Sequence, residues 1–407
     1  MEPAMLDFEI PPHLRREFIF QTAGILPPNG IVFGFRTAQK VGEQAARLGG
    51  KEIILVTDDV MVQLGYAGMI KKELEKYKFK VDVYGKVEPE PHMETADALG
   101  EMVRKKKYDL VVGLGGGSSM DMAKLAAIIA TNPQSPKEIM TQQGEKQAAL
   151  KKILIPTTAG TGSEVSMAIV VSAGKEKYLM RSPFALPEIT IIDPGLTVSM
   201  PPKVTASTGI DALSHAVEGI MNRLANPFYD SFGLLGIELM AKYLRRATDN
   251  GRDLEARYYM SMGAMSAMIS FAGTGGLYAH SISYVLARFQ PTTHGMGCGV
   301  ALPYTMAFNL PVIEEKLARV ARAMGEKIDR FSPGTAGWRA VEVVFDLTAG
   351  VKMPVSLKEM GFRHEDVPQM AEICMSKYPR PNNPRRMSQE ECLSLLEAMW
   401  EGKIARL

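Results

Sequence analysis

Asp211 and His215 stand four residues apart in the run GIDALSHAVEG, a spacing that puts both side chains on one face of a helix. The chain has six histidines (His13, His92, His215, His280, His294 and His364). His280 lies in GGLYAHSISYVLA, and His294 lies in QPTTHGMGCG, a loop opening another helix. One carboxylate with three imidazoles suits a divalent first-row metal such as iron or zinc. A core role is the alternative, because Asp–His pairs at this spacing and single histidines in apolar segments are common without a metal.

The run DLVVGLGGGSSMDMAK (Asp109–Lys124) raises different chemistry. A buried strand that ends in Gly115, Gly116 and Gly117 and turns into a helix offers bare backbone N–H groups to an anion. Ser118 or Ser119 can cap that helix and donate to a phosphate oxygen. The stretch departs from the GxGxxG fingerprint, since Ser118 stands at the third glycine, and it is not a P-loop. A tight turn without a ligand is the plainer alternative. Asp58 and Asp59 close the strand-like run KEIILVTDD, where a carboxylate binds ribose hydroxyls or caps the next helix. IPTTAGTGSEVS (Ile155–Ser166) brings Thr157, Thr158 and Thr161 to a polar loop, either part of the same cleft or simply solvated.

The elements that position these residues fall into two halves. From about residue 30 to 195, short β-rich runs alternate with helical ones: KEIILVTDD, then helical MVQLGYAGMIKKELEKY, strand KFKVDVYG, helix METADALGEMVRKKK and strand YDLVVGLGGG. Further strands follow at KKILIPTT, MAIVVSAG and EITIIDP. This order predicts an α/β fold with a parallel sheet and crossover helices. Beyond Pro202 the chain reads as helices, with a boundary in the Pro- and Gly-rich DPGLTVSMPP. The expected division is 1–199 for an α/β dinucleotide-binding domain and 200–407 for a helical metal-binding domain.

Bulk properties narrow the class. The 407 residues carry 47 Lys and Arg against 45 Asp and Glu, a net charge of +2 that gives no electrostatic case for nucleic acid or an anionic membrane. The three cysteines, Cys298, Cys374 and Cys392, have no paired spacing and read as reduced thiols. The opening MEPAMLDFEIPPHLRREF lacks the apolar core of a secretory signal, and no apolar run is long enough to span a membrane. A cytoplasmic protein is expected.

Several of these motifs together resemble the iron-containing, or group III, alcohol dehydrogenase family. GGGSSMDMAK matches the family's glycine–serine run, with Asp121 and Lys124 in place. IPTTAGTGSEVS matches its threonine loop, and DPGLTVSMPPKVTASTGIDALSHAVE matches a long run almost throughout. His280, followed fourteen residues on by His294–Gly295, fits the last segment. The resemblance covers about residues 20 to 405. It implies an N-terminal Rossmann-like domain binding NAD, a helical domain holding Fe2+ (with Zn2+ also suited), and a cleft between them. It implies Asp211, His215, His280 and His294 as metal ligands. It places the pyrophosphate over Gly116, Gly117, Ser118 and Ser119, beside Asp121, and turns Asp58 toward the adenosine ribose. Thr157, Thr158, Thr161, Lys177 and Leu196 then line the rest of the dinucleotide cleft.

The sequence departs from the family at one visible place. Many members carry another histidine four residues after the third ligand, where this chain has Tyr284. Tyr284 should still face the cleft, as a candidate for proton transfer or substrate positioning. Phe271, Tyr278 and Phe289 are candidates for an apolar wall or for plain core. No Arg/Lys cluster marks a phosphate-bearing substrate in the C-terminal half, so small primary alcohols or diols, or their aldehydes, are preferred. A homodimer is expected from the family. The competing functions are a hydroxyacid–oxoacid transhydrogenase, a metal hydrolase, for which a dinucleotide cradle has no use, and a non-catalytic NAD-binding protein.

Overall fold

A computed structural model describes residues 30–142, 147–174 and 176–404. The opening segment, with its expected lack of a secretory signal, lies outside the described residues. Eight strands occur among the described residues: β1 (Gly30–Phe33), β2 (Glu52–Val56), β3 (Lys80–Tyr84), β4 (Leu110–Gly115), β5 (Lys151–Pro156), β6 (Ala168–Ala173), β7 (Glu176–Arg181) and β8 (Ile189–Ile192). Six form one parallel sheet in the order β1-β8-β5-β4-β2-β3.

The apolar runs explain why this sheet is buried on both faces. Ile53, Leu55, Leu110, Val112 and Ile153 point into one core, and their alternate neighbours Ile54, Val56, Val111 and Leu154 point into the other. Helices cover each side, as parallel strands require. The chain runs from β2 outward to β3, then crosses back so that β4 pairs with the other edge of β2. The carboxyl ends of β2 and β4 therefore meet at a reversal of strand order, the place where open α/β sheets bind ligands.

Three details differ from the sequence reading. MAIVVSAG supplies β6, which leaves the main sheet to form an antiparallel hairpin with β7. β7, EKYLMR, is too charged and too exposed to show a strand pattern. The helix expected over MVQLGYAGMIKKELEKY is two helices, Asp59–Gln63 and Tyr66–Glu75, parted by Gly65 at φ 77°. A left-handed residue ends a helix, and glycine adopts it without penalty.

From Pro202 on the structure is helical. The helices Pro202–Met221, Pro227–Asp249, Leu254–Thr274, Tyr278–Phe289 and His294–Asn309 share one large apolar core. Among the described residues, no helix is long and apolar enough to cross a membrane.

Candidate active site

Asp211 and His215 come from the middle of the helix Pro202–Met221, His280 from the first turn of Tyr278–Phe289, and His294 from the first residue of His294–Asn309. The three helices bring these side chains together. His215 Nε2 and His294 Nε2 lie 3.9 and 3.8 Å from Asp211 Oδ1. The rings of His215 and His280 have centroids 5.0 Å apart, and those of His280 and His294 5.1 Å.

Hydrogen bonds fix which ring nitrogens are free. Glu218, one turn beyond His215 and on the same face, accepts from the backbone N–H groups of Leu277 and Ala279 and contacts His280 Nδ1 at 2.7 Å. A carboxylate only accepts, so His280 carries its proton on Nδ1 and presents a bare Nε2. Ser283 Oγ donates to His294 O at 2.9 Å, which leaves it as acceptor for His294 Nδ1–H at 3.1 Å. His294 Nε2 is therefore bare as well.

Lone pairs of Asp211, His280 and His294 thus converge, with the Cys298 thiol beside them. Asp211 Oδ1 and His280 Nε2 are buried without any hydrogen-bond partner, while His215 turns Nε2 toward Asp211 and its Nδ1, also unpartnered, lies on the other side of the ring. Such groups are costly to bury unless something pairs with them. A divalent cation between Asp211, His280 and His294, whose donor atoms lie within 4.8 Å of one another, would satisfy the first two, and the Glu218–His280 contact is the kind of outer hydrogen bond that orients a metal-binding imidazole. Burial, followed by the neighbouring His280, pushes His215 and His294 well below the usual imidazole range. Both stay neutral, the form that binds metal. Burial also raises Asp211 to about 6.

Two neighbours of this cluster were not read as site residues from the sequence. Glu218 follows Asp211 and His215 at helical spacing, so a same-face pattern at i, i+4 and i+7 was there to be read. Cys298 stands one turn after His294, with Sγ 3.6 Å from His294 Nε2, and joins Asp211, His280 and His294 in a group of donor atoms within 4.8 Å of one another. As a lone thiol it carried no spacing signal.

A cavity of about 390 Å³ runs from these ligands to the glycine turn after β4. Gly117, Ser118, Asp121, Thr161, Lys177 and Tyr284 line it together with Asp211, His215, His280 and His294. The turn is shaped by its glycines. Gly115 has φ 141°, and a Cβ there would meet Ser119 Oγ at 2.6 Å and Asp58 Oδ2 at 2.8 Å. At Gly117 a Cβ would press on Thr161 Cγ2 at 2.9 Å. At Gly116 the nearest atom is Thr158 Cγ2 at 3.5 Å, an ordinary contact, so the surrounding protein leaves that face open. The helix Gly117–Ile129 begins here with no side-chain cap. The capping role foreseen for the serines is not taken: Ser119 donates to Asp58 at 2.9 Å, and Ser118 accepts from Glu90 N at 3.1 Å. An uncapped helix start beside an open glycine is a fitting seat for a phosphate.

The remaining candidates divide. Asp58 stands two residues past β2, caps the helix Asp59–Gln63 through Met61 N at 3.0 Å and holds Ser119. Asp121 is held by Lys124, Ser163 and Val170 N. Lys177 pairs with Glu90 at 3.3 Å and sits 5.8 Å above the Tyr284 ring. Thr157 donates its backbone N–H to Gly115 O, and Thr158 Oγ1 is buried without a partner. Leu196 lies elsewhere, in the apolar core with Val41 and Leu55 rather than on the cavity. The threonine loop is not a solvated one: most of Thr157–Ser166 is buried. Tyr284 stacks on His294 with centroids 5.4 Å apart. Phe271 packs against His215 and His280 on the cavity wall, whereas Tyr278 and Phe289 belong to the helical core.

Known proteins share this fold. Residues 28–194 match the pattern of the iron-containing alcohol dehydrogenases, and residues 205–400 match the C-terminal pattern of the same family. Long-chain-alcohol dehydrogenase 1 of Geobacillus thermodenitrificans is 34% identical over 384 residues, 93% of this chain and 97% of that one. A crystal structure of 1,3-propanediol oxidoreductase superimposes with a TM-score of 0.88 at 31% identity, covering 92% of this chain and 99% of the other. Sulfoacetaldehyde reductase of Bifidobacterium kashiwanohense, solved with NAD+, gives 0.82 at 29% identity over 92% and 97%.

Proposed function

The chain belongs to the iron-containing alcohol dehydrogenase family, and on that premise we propose that it transfers hydride reversibly between a small primary alcohol or diol and NAD at an Fe2+ site. The observation that supports this reading is the meeting of donor atoms of Asp211, His280 and His294, with His215 Nε2 beside them, on a cavity that reaches an open glycine turn. Asp211, His215, His280 and His294 would hold the cation. When bound, the cation supplies Lewis acidity toward an alcohol or carbonyl oxygen, and the nicotinamide supplies the hydride acceptor.

The chain's own residues do the rest. Glu218 keeps the His280 proton on Nδ1, and Ser283 does the same for His294, so both rings stay committed as ligands. Gly116, Gly117, Ser118 and Ser119 are assigned the pyrophosphate, and Asp58 the ribose hydroxyls. Asp121 shapes this turn through Ser163, Lys124 and Val170, and Thr157, Thr158, Thr161 and Lys177 flank the dinucleotide. Tyr284, its phenol pushed up to about 12 by burial, keeps its proton at neutral pH. It therefore positions a substrate by hydrogen bonding and does not act as a base. Phe271 and Met268 exclude water from the same cavity.

In this reading residues 1–199 form the dinucleotide domain and 200–407 the metal domain, of a cytoplasmic homodimer. The likeness to a reductase solved with NAD+ supports the cofactor, and the likeness to a propanediol oxidoreductase supports short alcohols and diols. Purified protein should contain close to one iron per chain by elemental analysis. It should reduce NAD, followed by absorbance, with primary alcohols or diols. Metal-loaded protein that reduces neither NAD nor NADP with any alcohol, diol or hydroxy acid would sink the reading.

A further inference from the structure

Among the described residues, three cations reach the cavity: Lys177 and Arg181 from β7, and Arg380 from the segment after the helix Val367–Lys377. Of these, Lys177 has a carboxylate partner, Glu90, and Arg181, exposed at the mouth, is tied to a backbone carbonyl, donating to Ala272 O at 2.6 Å. Arg380 differs. Its Nε donates to Ser281 Oγ at 2.6 Å, and Ser281 in turn donates to Tyr378 O at 2.7 Å. These bonds fix the plane of a half-buried guanidinium beside His280. They leave both terminal nitrogens without a partner among the described residues. No carboxylate among those residues pairs with it; the nearby Glu218 already accepts from Leu277, Ala279 and His280.

The position of this charge assigns it to the substrate and not to the dinucleotide. Arg380 lines the same cavity as Asp211, His280, Tyr284 and His294, and its bond to Ser281, the residue after His280, ties it to the metal end. Two carboxylates, Asp211 and Glu218, offset a divalent cation, so the arginine charge there remains unbalanced. A neutral alcohol would leave it so. A planar fork with free N–H groups is suited to two oxygens of one anion. The surrounding wall of Phe271, Ala272, Pro379 and Pro381 is apolar, right for a short carbon chain between the two ends of such a molecule.

We propose that the alcohol taken by this site carries an anionic group, a carboxylate or sulfonate, a short chain away from its carbinol carbon, and that Arg380 receives it. The proposal rests on the dehydrogenase reading for the reacting end and on Arg380 alone for the other. No Arg/Lys cluster in the C-terminal sequence announced it, because the charge acts through a single residue brought to the cavity by the fold.

The test uses iron-loaded protein with NAD. kcat/KM is measured for γ-hydroxybutyrate against n-butanol and for isethionate against ethanol. Binding of butyrate, which cannot react, is measured by calorimetry. The wild type should prefer each anion by about tenfold or more, mainly through KM, as a charge-assisted pair allows. Arg380→Met should bring the ratio toward unity and abolish butyrate binding, and Arg380→Lys should restore part of both. Circular dichroism and melting checks that each variant is folded. Butyrate binding that depends on Arg380 upholds the anion site even if no alcohol reduces NAD, in which case the dehydrogenase reading alone falls. Neutral alcohols oxidised as well as their anionic counterparts, with no butyrate bound, would overturn the inference and leave the dehydrogenase reading standing.

Discussion

His294 is the ligand whose removal best separates chemistry from folding. It is less buried than the others, and its loss leaves the Glu218–His280 pair intact. His294→Ala should lower iron content and cut turnover by at least about a hundredfold, because a ligand matters no less than the outer hydrogen bonds around it. NAD binding, read by fluorescence, should persist, since the glycine turn belongs to a different layer. Full iron content and near-normal turnover in this variant would refute the assigned ligand set. Asp58 carries a second prediction. It accepts two hydrogen bonds inside the protein and stands two residues past β2, beside the glycine turn. A 2′-phosphate would bring an anion against that carboxylate, so NAD should be preferred over NADP by about a hundredfold. Asp58→Asn keeps a good helix cap and removes the charge. It should erase most of the preference without lowering the melting temperature, and a wild type that uses NADP better would contradict this role for Asp58. At this scale part was legible: Asp211, His215, His280 and His294 stood out by type and became a ligand set through the family resemblance, and Asp211, His280 and His294 bring donor atoms within 4.8 Å of one another with His215 Nε2 3.9 Å from Asp211. Leu196 sits in a core with Val41 and Leu55, and an apolar residue near a cleft and one in a core look alike in sequence. Arg380 was invisible, since it lies about a hundred residues from the serine that fixes it.

The helices set how closely those ligands approach. His294–Asn309 opens with glycines at alternate positions, HGMGCG. A Cβ on Gly295 would run into the backbone oxygen of Ser207 and approach Asp211 Cβ at 3.0 Å, and one on Gly299 would strike Ile210 Cγ2. Both contacts are with the helix Pro202–Met221, which carries Asp211 and His215. The two glycines, one turn apart, let the helices touch nearly backbone to backbone. Gly295→Ala should therefore push His294 away from Asp211. Overpacking of this kind costs about 1–3 kcal/mol, so the melting temperature should fall and iron occupancy should fall with it. Unchanged iron binding would mean that the helix ends adjust freely and that close approach does not set the site. The sequence showed that helices begin here but not why glycine recurs, because that reason lies in a helix some ninety residues earlier. For the same cause the β6–β7 hairpin was half missed: β7 carries charges on a strand that stands outside the main sheet.

At the scale of the molecule, the threonine loop is the seam between the sheet and the helices. Gly160 lies against Thr208, where a Cβ would be 2.5 Å from Thr208 Cβ, and Gly162 lies against Met268. Glu164 sits in this seam, buried, with Oε2 lacking a partner. Burial raises its pKa to about 7 from an ordinary 4.5, and the cation of Lys124 offsets only part of that rise. The consequence for stability has a definite sign. The folded state holds the Glu164 proton more tightly than the unfolded chain does, so this contribution is fully present below about pH 4.5 and is lost as pH rises through about 7. The shift corresponds to at most ~3 kcal/mol. Glu164→Gln cannot ionise and should lack that loss. Other groups, the metal ligands among them, also make stability depend on pH, but they are common to both proteins and drop out of the difference. Denaturant melts of iron-loaded wild type and Glu164→Gln at about pH 5 and about pH 8 should show the wild type losing ground to the variant at the higher pH. Parallel pH dependence in the two proteins would mean that Glu164 is ionised in the folded state throughout, held by Lys124, and that the seam carries a buried ion pair instead of a neutral acid.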